Sequence, residues 1–172
     1  MKHEPEHYVA DILSAAGGRL VSRIRLQKIA YLLDQLGAKS GFDYSYHHYG
    51  PYSRDLDSAI LDAEAFGLVR EEYGYRKTDG ARYSVFVRNA DDKQFSCLKD
   101  SHLRDITKQL ASQNVTVLEL AATAHWLVKF EKVDDWQAEI HRRKGTKTDN
   151  GRLEEATKLL AEVGLPPTVA AV

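Results

Sequence analysis

The stretch 22–75, which contains RLQKIAYLLDQLG (25–37), YHHYGPYSRDL (46–56) and AFGLV (65–69), decides the fold of this chain. Ser22 is a good N-cap, and Gly37 ends a helix whose apolar residues cover much of its circumference. This pattern predicts a central helix that is contacted from two sides. The aromatic-rich residues 42–49 predict a strand, which a turn at Gly50-Pro51 ends.

A third helix follows Ser53, a second N-cap candidate, and Gly67 ends it. We expect this helix to bury one face, formed by Leu56, Ala59, Ile60, Leu61, Ala63 and Phe66. Residues 68–75 and 82–88 then predict a β-hairpin around Thr78-Asp79-Gly80.

Helical patterns fill most of the chain on both sides of this stretch. A first helix is predicted over 4–16, and further helices over 91–113, from Asn114 or Thr116 to about residue 128, over 134–144 and over 149–163. The fold class is therefore mainly α (α+β), with a small antiparallel sheet. We expect a loosely winged-helix-like core with its hairpin in 1–90, a helical part in 91–165 packed on it as one domain, and a flexible tail in 166–172.

Composition excludes several classes of protein. The 172 residues carry a net charge of −1, so binding to nucleic acid or lipid requires a local basic patch. Cys97 is the single cysteine, which excludes an internal disulfide and a thiolate-rich zinc site. We see no run of apolar residues long enough for a membrane span and no signal peptide, and we expect a cytoplasmic protein without membrane contact.

An aromatic and histidine cluster occupies residues 44–52, with the sequence YSYHHYGPY. Two interpretations stay open: the rings form a ligand pocket or partner-binding patch, or half of them pack between the central helices. A metal pair at His47 and His48 is disfavoured, because neighbouring residues of a strand point to opposite faces. We therefore predict no metal and no cofactor.

The third helix carries an excess of carboxylates: Asp55, Asp57, Asp62 and Glu64 against Arg54. An acidic helix is repelled by the phosphates of a DNA groove, although its position before the hairpin suits a recognition helix. We predict instead that these four carboxylates bind a protein partner, with Tyr49 and Tyr52 as anchors.

Basic residues provide the alternative, a nucleic-acid-binding surface. The candidates for contact are Arg23, Arg25, Lys28, Arg76, Lys77, Arg142 and Arg143. Solvated helix faces and favourable helix C-terminal charges explain the same residues without a ligand.

No spacing specifies a catalytic geometry. Scattered residues such as His125, Asp134, Asp135 and His141 could converge, and His48, Tyr49 or Cys97 could act as acid or nucleophile. Because a histidine in an apolar helix is usually a core residue, we predict that the chain is not an enzyme.

The quoted motifs at 25–37, 46–56 and 65–69, with LELAATAHWLVKFEK (118–132) and EEATKLLAEVGL (154–165), resemble the YwgA-like proteins. More distantly, the first two resemble the Panacea domain of SocA-like antitoxins. The resemblance implies a mainly helical fold with a small sheet and, on the Panacea side, an antitoxin or adaptor that binds another protein. We therefore predict a non-enzymatic regulatory or antitoxin-like module that binds a protein partner such as a toxin, effector or regulator. The alternative is a DNA-binding transcriptional regulator with a degenerate winged helix.

Overall fold

A computed structural model describes residues 3–89, 95 and 97–168. Ser22 and Ser53 cap the helices that follow them, through hydrogen bonds from the backbone N–H of Arg25 and Leu56, as predicted. Within these residues the helices are α1 (Pro5–Ala15), α2 (Arg23–Gln35), α3 (Arg54–Ala65), α4 (Ser101–Ala111), α5 (Val115–Lys129), α6 (Trp136–Lys144) and α7 (Arg152–Val163), with a 3₁₀ turn at Gly145–Thr148 between the last two.

Five short strands form two antiparallel units: β1 (Arg19–Val21), β2 (Ser45–His47), β3 (Gly50–Tyr52), β4 (Val69–Tyr75) and β5 (Arg82–Arg88). The larger sheet has the order β1-β5-β4, and β2 and β3 form a separate hairpin. The mainly helical fold with a small antiparallel sheet is confirmed, as is the hairpin at 68–88. Strand β1 was not predicted, since three residues show no period. The winged-helix comparison stays a prediction.

The predicted strand 42–49 is too long, and its turn is misplaced. The strand covers only Ser45–His47, the chain turns at His48 and Tyr49, and Gly50-Pro51 begins β3. Tyr46 lies opposite Pro51, one pair away from the His47–Gly50 pair beside the turn. Hydrogen-bonded and non-hydrogen-bonded pairs alternate in an antiparallel ladder, and Pro51 is in a non-hydrogen-bonded pair. Its missing backbone N–H therefore costs the hairpin no hydrogen bond.

The predicted helix 91–113 is also too long. Residues 97–100 are not helical, and α4 begins at Ser101, where the Asp100 side chain accepts a hydrogen bond from the His102 N–H. Before α4, the backbone N–H groups of Phe95 and Cys97 donate hydrogen bonds to the Asp11 carboxylate of α1, which holds these two residues against α1. Residues 90–94 and 96 lie outside the described residues, as do 169–172 of the predicted tail.

Helices from both halves of the chain share one hydrophobic core. Helix α2 lies at its centre and packs against α4, α5 and β3, which confirms the predicted central helix. Leu26, Ile29 and Leu32 of α2 are fully buried, because they face these neighbours in turn. The division into parts 1–90 and 91–165 stays a prediction. No helix in the described part of the chain is long and apolar enough to cross a membrane.

Helix α3 buries fewer residues than predicted. Leu56, Ala59, Ile60 and Ala63 are buried, but Leu61 is 61% exposed and Phe66 is 70% exposed. The buried positions follow the i, i+3, i+4, i+7 spacing of one helix face, and position 61 lies about 100° from Ile60 around the axis. The prediction that Leu61 and Phe66 belong to the buried face is therefore wrong.

Candidate partner-binding site

Helix α2 fixes the β2–β3 hairpin and the start of α3 with two buried polar side chains. The Lys28 ammonium, 1% exposed, donates a hydrogen bond of 2.5 Å to the Pro51 carbonyl. The Gln27 amide donates to the Ser53 carbonyl and accepts from the Ser53 N–H, both at 2.9 Å. Because these bonds join α2 to backbone atoms, they position residues 51–53 whatever their side chains do.

The C-terminal half holds the other end of the hairpin. The Lys144 ammonium of α6 donates to the His48 carbonyl at 3.0 Å and to Glu119 Oε1 of α5 at 2.8 Å. Glu119 is 3% exposed and also accepts two hydrogen bonds from Lys147. Lys28 and Lys144, which lie far apart in sequence, therefore bind the two ends of one turn. The buried Glu119 carboxylate balances part of their positive charge.

The charge of this buried cluster is not fully balanced. The pKa of Lys28 is lowered to about 7, mainly by burial; the Glu119 carboxylate opposes this shift, and the nearby ammonium groups of Lys144 and Lys147 contribute to it. Desolvation of an ammonium favours its neutral form unless an opposite charge lies beside it. Lys28 has a carbonyl as its direct partner, so its charge is only partly compensated.

Gly50 allows the hairpin to lie directly against α5. Its φ is +90°, a left-handed conformation that favours glycine, and a Cβ built on it would lie 2.6 Å from Thr123 Oγ1. A side chain at position 50 would therefore force either the Thr123 side chain or the hairpin to move. The Gly50-Pro51 pair identifies a close backbone approach and not the turn that we predicted.

The aromatic cluster divides into inner and outer side chains. The Tyr44 hydroxyl donates to Asp34 at 2.9 Å, and the Arg143 guanidinium lies 4.7 Å from the centre of the half-buried Tyr46 ring. His47, His48 and Tyr49 are exposed, and Tyr49 is 45% exposed under the Lys147 ammonium. Part of the cluster is thus core and part is surface. In the described ranges no group of three or more His, Cys, Asp or Glu residues could hold a metal ion.

The four predicted carboxylates of α3 have different surroundings. Asp57 accepts hydrogen bonds from Arg23, Gln27 and Tyr52, so this carboxylate holds α3 to α2 and fixes the Tyr52 ring. The prediction for Asp57 and Tyr52 as contact residues stays untested, but both side chains already have structural partners.

The other three carboxylates of α3 are exposed. Asp55 accepts the Asp43 N–H at 2.9 Å, Glu64 accepts the Glu71 N–H at 3.3 Å, and Asp62 is exposed. Leu61 is exposed on the same helix, and Phe66 is exposed at its C-terminal end. We call the set Asp55, Leu61, Asp62, Glu64 and Phe66 the α3 patch. Sequence reasoning missed its two apolar members, although helical spacing excludes Leu61 from the buried face, and Phe66 follows the last residue of α3.

Most basic residues proposed for nucleic acid already have partners in the protein. Arg23 pairs with Asp57 at 3.1 Å and with Glu71 at 3.2 Å, and Arg76 pairs with Asp79 at 2.6 Å. The Lys28 side chain is buried, so its ammonium group does not reach a nucleic acid in this conformation.

The remaining candidates differ in how far they are compensated. Arg143 pairs with Glu131 and Glu139, which raises its pKa, and Arg142 also pairs with Glu139. Lys77 is exposed at the tip of the β4–β5 hairpin. Lys77 follows Arg76 in this hairpin turn, Arg142 and Arg143 lie on α6, and Arg25 lies in a separate cleft described below.

Three of the residues considered for catalysis, His125, Cys97 and Asp135, have surroundings that indicate structural roles. Burial lowers the pKa of His125 to about 4, and its Nδ1 lies 2.6 Å from the Tyr31 hydroxyl, whose pKa is raised by burial. Burial and the neighbouring Asp11 carboxylate raise the pKa of Cys97 to about 12, so its thiol is a poor nucleophile at neutral pH. Asp135 caps α6 by accepting the Ala138 N–H.

Comparison with known proteins gives two similar sequences. Over 137 residues the chain is 28% identical to a DNA ADP-ribosyl glycohydrolase of Thermus aquaticus, a match that covers 76% of this chain and 37% of that protein. Over 155 residues it is 23% identical to the uncharacterized protein YwgA of Bacillus subtilis, covering 85% of this chain and 89% of YwgA. No family model matches the sequence.

These similarities support the resemblance to YwgA and correct one prediction. The expectation that the chain is not an enzyme is contradicted by its similarity to a protein named as a glycohydrolase. The chain spans little more than a third of that protein's length, and the match therefore carries the named activity only as a proposal. The resemblance to the Panacea domain stays a prediction. The chain is thus similar to YwgA over most of both sequences, and to part of a DNA ADP-ribosyl glycohydrolase.

Proposed function

We propose that this chain binds a protein partner through the α3 patch and regulates that partner. The observation that carries the proposal is the exposure of Leu61 (61%) and Phe66 (70%) among the carboxylates of Asp55, Asp62 and Glu64. Large apolar side chains that are exposed on an element rich in charged groups are a feature of protein interfaces. The partner therefore has a basic rim around an apolar pocket.

The surroundings of the patch favour a preformed binding surface. Ser53 caps α3, and Gln27 and Arg23 of α2 hold its first turn through Ser53 and Asp57. A helix held in this way loses little conformational freedom when a partner binds, which favours affinity. Tyr49, beside the start of α3 in sequence, adds an exposed ring as a further proposed anchor.

Co-purification from the native host tests the proposal. The unaltered chain should retain one stoichiometric protein, and that protein should be lost when Leu61 and Phe66 are replaced by Ser or when Asp62→Lys and Glu64→Lys are combined. The matched control is Glu154→Lys with Glu155→Lys on the exposed side of α7, which should leave recovery unchanged. Binding should weaken with salt, because charge complementarity contributes to it.

Two results would refute this role. One is the absence of any stoichiometric protein under conditions in which the chain is folded. The other is equal recovery with the patch variants and the α7 control. Because exposed substitutions usually change stability by less than about 0.5 kcal/mol, loss of folding is not expected to explain a loss of binding.

A second candidate function is glycohydrolase activity on ADP-ribosylated DNA, which the similarity to the Thermus aquaticus protein favours. The assay is release of ADP-ribose from modified duplex and single-stranded DNA by the purified chain. Turnover that is lost on substitution of one exposed polar residue near the hairpin, such as His48→Ala, would support it. Lack of release at enzyme concentrations equal to the substrate would exclude it for this chain.

The third candidate, a DNA-binding regulator, depends on the basic residues. It predicts a shift in duplex DNA mobility at low salt that weakens as salt is raised. Replacement of Arg23 should also weaken the mobility shift. Because Arg23 pairs with Asp57 and Glu71, this weakening must be larger than the loss of stability of the variant explains. A chain that leaves duplex DNA unshifted at low salt removes this candidate.

A further inference from the structure

A cationic cleft lies on the side of the molecule where β1 and the C-terminal end of α4 meet. Its volume is about 360 Å³, within the range of small-molecule sites. Arg19, Arg25 and Lys108 line it, and Ala16, Val21 and Ala111 are among its apolar walls. None of the described residues that line it is acidic. We call it the β1–α4 cleft.

Arg25 is held in place without a carboxylate. Its guanidinium donates to the carbonyls of Val21 at 2.9 Å, of Ala111 at 3.3 Å and of Gln113. These bonds use Nε and Nη1, and in the part of the chain that the structure describes Nη2 donates to no protein group. Burial without an acidic partner lowers the pKa of Arg25. A fixed guanidinium with unused N–H groups is a ready donor to an anion.

The two other cations are also without carboxylate partners among the described residues. Arg19 and Lys108 are exposed at the rim of the cleft, and neither forms an ion pair within 4 Å in those ranges. By contrast, Arg23, only two residues before Arg25, pairs with two carboxylates. Three uncompensated positive charges around one cleft attract a ligand with at least two negative charges.

The edge of the sheet adds backbone donors. β1 is an edge strand, and it bonds to β5 through Gly18, Leu20 and Ser22, as the bonds from Arg88 N–H to the Gly18 carbonyl and from Ser22 N–H to the Ser84 carbonyl show. In an antiparallel ladder the alternate residues Arg19 and Val21 direct their backbone groups away from β5. The bond from Arg25 to the Val21 carbonyl places this outer edge at the cleft.

We infer that the β1–α4 cleft binds a small phosphorylated molecule through Arg19, Arg25, Lys108 and the outer backbone N–H groups of β1. A diphosphate or phosphomonoester supplies the charge, and an apolar or aromatic remainder packs on Val21 and Ala111. The volume of about 360 Å³ suits a small molecule better than a nucleic-acid strand. This site is separate from the α3 patch and does not depend on the proposed function.

Calorimetric titration of the full chain tests the site with pyrophosphate, ADP and adenosine. Pyrophosphate and ADP should bind with dissociation constants below the millimolar range, and adenosine, which lacks phosphate, should not. Arg19→Gln and Lys108→Gln should each weaken ADP binding by about tenfold, since each removes a charged hydrogen bond to phosphate. Lys129→Gln and Lys158→Gln, exposed on α5 and α7, are the matched controls and should leave binding within about twofold.

Several outcomes would overturn the assignment. They are the absence of saturable binding of both phosphates in the millimolar range, an affinity unchanged in the Arg19→Gln/Lys108→Gln variant, and equal weakening in the lysine controls. Binding of a single-stranded oligonucleotide through Arg19 and Lys108 without binding of pyrophosphate or ADP would also overturn it. Thermal unfolding of each variant checks that it is folded; among the residues that the structure describes, neither exposed side chain forms a hydrogen bond or ion pair whose loss would unfold the chain.

Discussion

Substitution of Glu119 by Gln should strongly destabilise the fold. This carboxylate is 3% exposed and compensates Lys144, whose side chain is equally buried, at 2.8 Å. Glu119→Gln keeps the shape of the side chain but leaves Lys144 and the nearby Lys28 ammonium without a negative charge. Removal of one partner from a buried ion pair costs about 3–5 kcal/mol, which is a large part of the roughly 5–15 kcal/mol that stabilises a typical domain.

Urea unfolding at neutral pH measures the change. The matched control, Glu162→Gln, removes an exposed carboxylate of α7 that accepts one hydrogen bond from Gln109, and it should change the free energy of unfolding by less than about 0.5 kcal/mol. Lys144→Met should cost less than Glu119→Gln, because Glu119 still accepts two hydrogen bonds from Lys147. The double variant Glu119→Gln/Lys144→Met should cost less than the sum of the two, because it leaves fewer buried charges unpaired.

The reasoning would be refuted by a loss below about 1 kcal/mol for Glu119→Gln, since no buried charge can be left uncompensated at so small a cost. Strict additivity in the double-mutant cycle would likewise show that Glu119 and Lys144 do not stabilise each other in solution.

Three further predictions concern the same region. Between pH 7 and 10.5 the wild-type chain should gain about 1.4 kcal/mol of stability per pH unit relative to Lys28→Met, because the unfolded chain retains the Lys28 proton that the folded chain has lost. Urea unfolding measures this, and parallel plots of unfolding free energy against pH for the two proteins would contradict it. The pKa of His125 falls from 6.5 to about 4 in the folded chain. As the pH falls from 6.5 to 4, the wild-type chain should therefore lose about 3 kcal/mol of unfolding free energy relative to His125→Gln, since only the unfolded chain takes up the proton. Above pH 7.5 the difference in unfolding free energy between the two proteins should not change with pH. Gly50→Ala should destabilise the fold by about 2–4 kcal/mol through the contact with Thr123 Oγ1 and through the positive φ. Adding Thr123→Ala should remove only the cost of the contact. An unchanged urea midpoint in Gly50→Ala would exclude the close approach.

The sequence predicted those parts of the fold that local patterns specify. The caps at Ser22 and Ser53, the ends at Gly37 and Gly67, and the β4–β5 hairpin depend on residues close to one another in the chain, and all were found. Strand β1 was missed because its pairing with β5 joins residues far apart in sequence.

The candidate site was predicted only in outline. The carboxylates of α3 were proposed as contact residues, but Leu61 and Phe66 were placed in the core. Leu61 was counted as buried without regard to its angle around the helix, and Phe66 has the spacing of the buried face but follows the last helical residue. The buried Lys28, Glu119 and Lys144 cluster could not be predicted, because no local pattern shows that three charged residues from three helices meet under a hairpin. Lys28 was instead expected at the surface.

The bond between Lys144 and the His48 carbonyl joins residues 96 positions apart. During synthesis the β2–β3 hairpin therefore emerges from the ribosome well before the lysine that holds its turn. Until α6 has been made and has docked, the hairpin lacks the bond from Lys144, and Glu119 has no ammonium group from α6. A nascent chain interrupted before residue 144 would expose this segment to proteases, so cleavage between 45 and 52 gives a direct readout of whether the last helices have assembled.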